Sequence, residues 1–275
     1  MTYVFSKTRS FFNIFYIMWY NICKKKPSFR VPVCETESST TGENMKPNLR
    51  RSKMDLKEQL QQGIIIKLLG DSITAGAGSS DDYRCGEEII VIDGVRHQQQ
   101  LGQQCFASLF AQYIKNHYPG NHVINYGCSG INSTQLRAHL TELIEKDDDV
   151  ILLMIGTNNR KLSDGMSILS QDLSYIIDEA QKMNKMVILM MANPVTQEDE
   201  QYENRLFHQE EVNKVVKQVA QSKSVLFVNY YEWIQGYLLK QQQTIEELMA
   251  GGDGLHPTDR VYRLMFNHLI DSLKI

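Results

Sequence analysis

Short, almost continuous apolar runs alternate with longer amphipathic stretches from about residue 62 to the end of the chain. The runs predict five strands, at residues 64–69, 122–126, 150–155, 186–191 and 225–228. Strands that are apolar on both faces are typical of a parallel sheet covered by helices. The stretches between them predict helices at about 103–117, from 133 onward, and at about 165–184, 204–221, 233–249 and 259–273. The alternation predicts an α/β fold, a three-layer doubly wound sandwich with a mainly parallel five-stranded sheet.

Residues 78–101 interrupt this alternation directly after the first strand and helix junction. The apolar run before Asp93-Gly94 and the sequence after it predict a β-hairpin that turns at this dipeptide. Open α/β sheets bind their ligands near such junctions. The segment is therefore either a lid or specificity loop, or an insertion without a role in the site.

The first 61 residues have a different character from the rest. Residues 1–26 form a basic, aromatic segment, and residues 27–61 lack any helical or strand period and predict a flexible linker before a domain at 62–275. The apolar part, residues 11–23, is too short to span a bilayer and no small-residue cleavage site follows it. It is interpreted as an interfacial membrane anchor, as a helix that docks on the domain or on a partner, or as an artefactual leader.

Composition and charge narrow the classes of function. The chain has 275 residues, 42% hydrophobic and 22% charged, which is typical of a soluble protein. Its net charge is −3, but residues 1–30 carry +6 and the remaining residues −9, so we expect no nucleic-acid partner. Five cysteines without a C-x-x-C pair favour reduced thiols and a cytoplasmic protein, peripheral to the membrane if residues 11–23 bind lipid; an extracellular, membrane-anchored protein is the alternative.

Glycine-rich and polar motifs follow three of the predicted strands, and a fourth precedes the last predicted helix. They are Gly70–Thr74, Asn125–Gly130, Gly156–Asn159 and Asp253–Pro257. The carboxyl ends of parallel strands meet at one edge of a sheet, so we expect these motifs to lie together. Each motif alone is equally typical of an ordinary helix cap or turn.

Within these motifs stand the residue types of nucleophilic catalysis. Ser72 would begin a helix, where unpaired amides favour negative charge beside the hydroxyl. Asp253 precedes His256 by three residues, a spacing that lets the carboxylate accept a hydrogen bond from one ring nitrogen and leaves the other for a serine proton. The amide of Asn158 can donate to developing negative charge. In contrast, Asp147–Asp149 predict a solvated turn before a strand and not a metal site.

The four blocks GDSIT, NYGCSG, GTNN and DGLHP, taken in this order, resemble those of the SGNH hydrolases, also called the GDSL esterase/lipase family, over residues 62–275. The resemblance implies a flavodoxin-like fold, with Ser72 as nucleophile, His256 as base and Asp253 as the residue that orients it. The implied oxyanion hole consists of the Ser72 and Gly130 amides and the Asn158 side chain. Ile73 and Asn159 differ from the residues most common at these positions in the family, and neither position has a catalytic role there.

The resemblance implies a serine esterase that hydrolyses a small acyl ester through an acyl-serine intermediate, with no metal or organic cofactor. We expect an acetyl group on a carbohydrate, such as a bacterial surface polysaccharide. The alternatives are an O-acyltransferase with a sugar acceptor, a lysophospholipase-like esterase and a non-catalytic membrane-tethered module. The expected partners are a small-molecule or carbohydrate ester and a membrane surface contacted through residues 11–23.

Overall fold

The structure, a computed structural model, describes residues 55–275. The predictions for residues 1–26 and for residues 27–54 of the linker lie outside the described part. The elements follow in the order α1 (Leu56–Leu60), β1 (Ile65–Gly70), α2 (Ser72–Ala75), β2 (Cys85–Ile92), β3 (Val95–Gln100), α3 (Phe106–His117), β4 (His122–Gly127), α4 (Ser133–Ala138), α5 (Leu140–Leu143), β5 (Val150–Met154), a 3₁₀ helix (Thr157–Lys161), α6 (Gly165–Lys182), β6 (Met186–Met190), α7 (Gln197–Glu200), α8 (Gln209–Lys223), β7 (Leu226–Val228), α9 (Tyr230–Gln241), α10 (Ile245–Leu248) and α11 (Asp259–Leu273).

Five strands form the central sheet in the order β4-β1-β5-β6-β7, and every neighbouring pair is parallel. The prediction of a doubly wound α/β sandwich with a parallel five-stranded sheet is confirmed. Gly70, the last residue of β1, pairs with Gly127 on one side and with Met154 on the other. This register brings the ends of three strands, and the motifs that follow them, to the same edge of the sheet.

Two apolar cores cover the faces of the sheet. One lies beneath α1, α3, α9 and α11, and the other beneath α4, α6 and α8. Adjacent strand residues point to opposite faces, so Leu68 packs into the first core and Leu69 into the second, both fully buried. Burial on both faces is why the strands are apolar at nearly every position.

The predicted boundary of the domain at residue 62 is wrong. Helix α1 precedes it, capped by Asp55, whose side chain accepts from the Glu58 amide at 2.8 Å while Glu58 accepts from the Asp55 amide. Leu56 and Leu60 of this helix are buried in the core. The apolar contacts come from one turn of helix, a pattern too short to stand out as periodic in the sequence.

The observed helix boundaries differ most from the predicted ones in the last third of the chain. The helix predicted at 233–249 is two helices, because Gln242 adopts a left-handed conformation (φ 53°) that ends α9. The helix predicted at 204–221 begins only at Gln209, after an irregular loop. That loop lies beside the candidate site.

The hairpin predicted within residues 78–101 is confirmed. Strands β2 and β3 are antiparallel and turn at Asp93 and Gly94, both with positive φ (50° and 77°), as a tight hairpin turn requires. Ile92 is buried, and the tip lies against α4, where Gln135 Nε2 donates to Asp93 Oδ2 at 2.6 Å. A role as a lid or specificity loop stays a prediction.

The prediction of a solvated turn at Asp147–Asp149 is wrong for Asp148. Its side chain is buried and lies 3.1 Å from the ammonium group of Lys67, which is itself fully buried in β1. Lys67 also contacts Glu145 at 2.9 Å and the face of the Tyr126 ring. Three adjacent aspartates are typical of a solvent-exposed turn. The partner of Asp148 is Lys67, about eighty residues earlier in the chain, so the local sequence does not reveal it.

Candidate active site

Ser72 begins the short helix α2 directly after β1. Asp71 is the N-cap residue, and its carboxylate accepts from the Ile73 amide at 3.0 Å. The helix packs closely against the end of β4 because Gly127 has no side chain there: a Cβ on Gly127 would lie 2.2 Å from the Ala75 amide nitrogen. After the helix, the buried hydroxyl of Tyr262 donates to the Ala77 carbonyl at 2.7 Å. These contacts fix the position of the Ser72 hydroxyl at the edge of the sheet.

His256 and Asp253 lie beside this hydroxyl in the arrangement that their spacing predicts. His256 Nε2 is 2.9 Å from Ser72 Oγ, and His256 Nδ1 is 2.6 Å from Asp253 Oδ2. The other carboxylate oxygen accepts from the amides of Leu255 and His256, at 3.0 and 2.7 Å. A tight turn holds the carboxylate and the imidazole together before α11 begins.

The charge state of Asp253 sets the tautomer of the histidine. Partial desolvation raises the pKa of Asp253, but the hydrogen bond from the His256 ring, the charge of that ring when it is protonated, and the amides of His256 and Leu255 outweigh it and lower the pKa to about 2. An ionised carboxylate only accepts hydrogen bonds, so Nδ1 carries the proton in this pair. Nε2 of the neutral ring is then an acceptor facing the Ser72 hydroxyl.

Of the three predicted oxyanion donors, the Ser72 amide lies at the start of α2, and the other two lie in neighbouring loops. Gly130 has φ 85°, and among the hydrogen bonds of residues 55–275 its amide donates none. The buried Asn158 donates from Nδ2 to the Ile131 carbonyl at 2.9 Å, which leaves one amide hydrogen on the same nitrogen. Its Oδ1 accepts from Lys161 Nζ at 3.0 Å. The two loops are therefore joined through the Asn158 side chain.

Asn159 is a second link between these loops, and the sequence motif did not reveal it. The residue is fully buried; its Oδ1 accepts from the Ser133 amide at 3.0 Å and its Nδ2 donates to the Ser133 hydroxyl at 2.8 Å. Ser133 Oγ donates in turn to the buried Asp172 at 2.8 Å. In the sequence Asn159 is equally typical of a simple turn, and no local signal pairs it with a serine 26 positions earlier.

Arg160 is a further buried residue that sequence reasoning missed. Its guanidinium donates to Asp199 at 2.7 Å, to Glu200 at 2.6 Å and to the Phe207 carbonyl at 2.9 Å. This ion-pair cluster binds α7 and the loop after it to the 3₁₀ helix that carries Asn158. The two acidic partners lie 39 and 40 positions later in the chain, so no spacing rule points to them.

Asp71 is the buried carboxylate closest in sequence to Ser72. Burial raises its pKa to about 6, although the amides of Ile73 and Thr157 and the positive charges of His256 and Lys161 act in the opposite direction. The group therefore changes charge in the pH range where a histidine base works. In the sequence, Asp71 is typical of an ordinary helix cap, and no local pattern indicates a raised pKa.

Within residues 55–275, no three His, Cys, Asp or Glu side chains are grouped so that they could hold a metal ion. In the same residues no helix is long and apolar enough to cross a bilayer. The chemistry that the described side chains offer is that of a hydroxyl, an imidazole and a carboxylate in hydrogen-bonded sequence, beside amide donors.

The chain is similar to one known sequence family and to several solved structures. The sequence model of the GDSL-like lipase/acylhydrolase family matches residues 68–264. No curated protein sequence matches significantly. Among solved structures, Axe2, an acetylxylan esterase from Geobacillus stearothermophilus, has a TM-score of 0.57 at 20% identity over 78% of this chain and 95% of that one. LAE5, an α/β hydrolase from the metagenome of Lake Arreo in Spain, has a TM-score of 0.58 at 17% identity over 77% and 95%.

Proposed function

Because the chain belongs to the GDSL-like lipase/acylhydrolase family and is an ester-hydrolysing enzyme, we propose that it cleaves small acyl esters through a covalent acyl-serine intermediate on Ser72. The observation that carries the proposal is the continuous hydrogen-bonded chain from Asp253 through His256 to the Ser72 hydroxyl. Nucleophile, base and orienting carboxylate in contact are the signature of an activated serine.

In the first half-reaction His256 Nε2 takes the Ser72 proton while Oγ bonds to the ester carbonyl carbon. The carbonyl oxygen becomes an oxyanion that the Ser72 and Gly130 amides and Asn158 Nδ2 stabilise. The tetrahedral species then expels the alcohol, which receives the proton from His256, and the acyl group stays on Ser72. In the second half His256 takes a proton from water, the hydroxide adds to the acyl carbon, and the acid leaves as Ser72 regains its proton.

We propose an acetyl ester of a carbohydrate as the substrate class. The fold is similar to that of Axe2, which is an acetylxylan esterase, and the part of the chain after residue 30 is acidic, which disfavours an anionic lipid surface as substrate. The site is also open to water, since the side chains of Asp253 and His256 are 51% and 21% exposed. Access of water favours hydrolysis over transfer of the acyl group to a sugar.

The test of the nucleophile compares Ser72→Ala with the wild type on a p-nitrophenyl acetate assay. We expect a loss of kcat of at least about a thousandfold, because the covalent route is removed. Ser174→Ala, a serine in helix α6 whose hydroxyl donates only to its own helix, is the matched control and should keep wild-type turnover. A Ser72→Ala enzyme with more than a tenth of wild-type activity, or a wild type that a fluorophosphonate fails to label, would refute the mechanism.

A panel of acetylated xylo-oligosaccharides, aryl acetates and lysophospholipids tests the substrate class. Preference for the sugar esters supports the proposal, whereas preference for lysophospholipids supports the lipid alternative. Product analysis in the presence of free sugar acceptors separates hydrolysis from transfer, because a transferase would form a new sugar ester.

A membrane surface is the second proposed partner, contacted through residues 11–23. Aromatic residues favour the headgroup zone, and Lys24, Lys25 and Lys26 directly follow the segment. Flotation of the full chain with anionic and neutral vesicles tests this. Replacing the three lysines by glutamine should weaken binding to anionic vesicles on the order of a hundredfold, at about 1 kcal/mol per lysine. Equal partitioning of both forms would contradict the proposal.

A further inference from the structure

Lys161, the last residue of the 3₁₀ helix, donates from Nζ to Oδ1 of Asn158 at 3.0 Å. On the far side of the same amide, Nδ2 donates to the Ile131 carbonyl at 2.9 Å. An amide held at its oxygen and at one of its two hydrogens has a fixed plane and cannot exchange its oxygen and nitrogen ends. One N–H is left, and its direction is set by the other two contacts.

We propose that Lys161 is a positioning residue that orients the Asn158 amide and polarises it for the oxyanion. The inference rests on the proposed function, in which Asn158 Nδ2 is an oxyanion donor. A cation at the amide oxygen draws electron density from the nitrogen, which makes the remaining N–H a stronger donor. No bond to Lys161 forms or breaks; its charge acts through Asn158.

The surroundings of Lys161 explain why its ammonium binds an uncharged amide. Asp199 is engaged by Arg160 and by Arg205, each at 2.7 Å. Within residues 55–275, Asn158 Oδ1 is the one acceptor within hydrogen-bond distance of Lys161 Nζ. The ammonium thus lies beside the donor group of the site instead of forming an ion pair.

The charged groups that face Lys161 come from four parts of the fold. They are Asp71 at the β1–α2 turn, Arg160 on the 3₁₀ helix, Asp199 on α7 and Arg205 on the loop between α7 and α8. Desolvation, and after it the charge of Arg205, lowers the pKa of Lys161 from its ordinary value of 10.5. Loss of the Lys161 proton at alkaline pH would remove the polarisation while the arginines keep their charge.

The experiment compares Lys161→Met, which keeps the length of the side chain without its charge, with Lys161→Arg, which keeps the charge at all accessible pH values. For Lys161→Met we expect kcat to fall about 10- to 100-fold, less than the loss on removing an oxyanion donor itself. KM should change less than about threefold, because the interaction strengthens only as the oxyanion forms. Lys161→Arg should recover most of kcat.

The pH profile of kcat, corrected for uncatalysed hydrolysis, is the readout that a merely structural role would not change. We expect an alkaline fall in the wild type that is absent in both Lys161→Arg and Lys161→Met. Lys182→Met is the matched control: it removes the same charge from a side chain that is 70% exposed at the end of α6, and it should retain both kcat and the alkaline fall.

A Lys161→Met enzyme with kcat within twofold of wild type would overturn the inference, as would equal losses in the Met and Arg variants or an alkaline fall that persists in Lys161→Arg. Ser72→Ala assayed in parallel separates this failure from failure of the proposed function. If Ser72→Ala is inactive and Lys161→Met is normal, only the role of Lys161 is lost. If Ser72→Ala stays active, the proposed mechanism itself is wrong.

Discussion

The side chain of Asn159 engages both polar groups of Ser133: Oδ1 accepts from its amide at 3.0 Å and Nδ2 donates to its hydroxyl at 2.8 Å. Asn159 follows the proposed oxyanion donor Asn158, and Ser133 begins the helix after the Gly130 loop. The pair therefore sets the distance between the two loops that would bind the oxyanion. All four atoms are buried, so water cannot replace the bonds without rearrangement.

Asn159→Ala should lower kcat more than about tenfold while KM changes little, because a shift of the donor loops weakens contacts made in the transition state. It should also lower the free energy of unfolding by about 1–3 kcal/mol, since the Ser133 amide loses its buried acceptor. Ester kinetics and urea unfolding measure the two effects.

Asn132→Ala is the control for Asn159→Ala. Asn132 caps the same helix, accepting from the Thr134 and Gln135 amides, but it does not reach the other loop. Its loss should cost about 1 kcal/mol of stability with a smaller effect on kcat. If the two variants lose kcat equally, stability of the helix accounts for the result and the bridge between the loops has no separate role.

Local patterns were sufficient for the sheet, the hairpin and the motif positions. Apolar runs such as Val150–Met154 mark buried strands, and the Asp93-Gly94 pair marks a turn that needs two positive φ angles. The contact between Asp253 and His256 was also predictable, because a three-residue turn decides it. These features depend on residues close together in the chain, where steric and hydrogen-bond rules act directly.

Contacts between distant residues were not predictable in this way. Arg160 contacts Asp199, which lies 39 positions later in the chain, and Lys67 of β1 contacts Asp148, which lies just before the neighbouring strand β5. In the sequence such charges are typical of solvated surfaces, and only the fold shows that each has a buried partner. Helix α1 was missed for a related reason, because one turn of helix has too few residues to display a period.

Asp71 should make stability depend on pH between about 4 and 6. The ordinary pKa of the side chain, 3.8, applies to the unfolded chain, and burial raises the folded value to about 6. Between these pH values the folded protein binds more protons than the unfolded one. Protonation of Asp71 therefore increases the free energy of unfolding as pH falls from about 6 to about 4, and this stabilisation is lost as pH rises through 6. The full difference is about 3 kcal/mol, at about 1.4 kcal/mol per pH unit.

Asp71→Asn removes this titration and tests it. Urea unfolding of both proteins at pH 8 and pH 4 gives the difference in stability at each pH. The substitution itself changes the free energy of unfolding by the same amount at both pH values. Beyond that constant change, we expect the free energy of unfolding of the variant to fall by about 2–3 kcal/mol relative to wild type between pH 8 and pH 4. A difference that is the same at both pH values would show that Asp71 keeps an ordinary pKa in the folded protein.

Lys67 should be required for stability and not for catalysis. Its buried ammonium is the cation for the buried carboxylate of Asp148, and it lies in the middle of β1, away from the strand's carboxyl end. Lys67→Met leaves Asp148 buried without this partner and should destabilise the fold by about 3–5 kcal/mol.

Adding Asp148→Asn removes the unpaired charge but keeps an oxygen for the Glu145 amide, which donates to Asp148 at 2.7 Å. The double variant should therefore recover more than half of the loss in a double-mutant cycle measured by urea unfolding, with kcat of the folded enzyme unchanged. If the losses in free energy of unfolding from the two substitutions are additive, Lys67 and Asp148 contribute no coupling energy. The stability of the contact between β1 and the start of β5 would then come from packing alone.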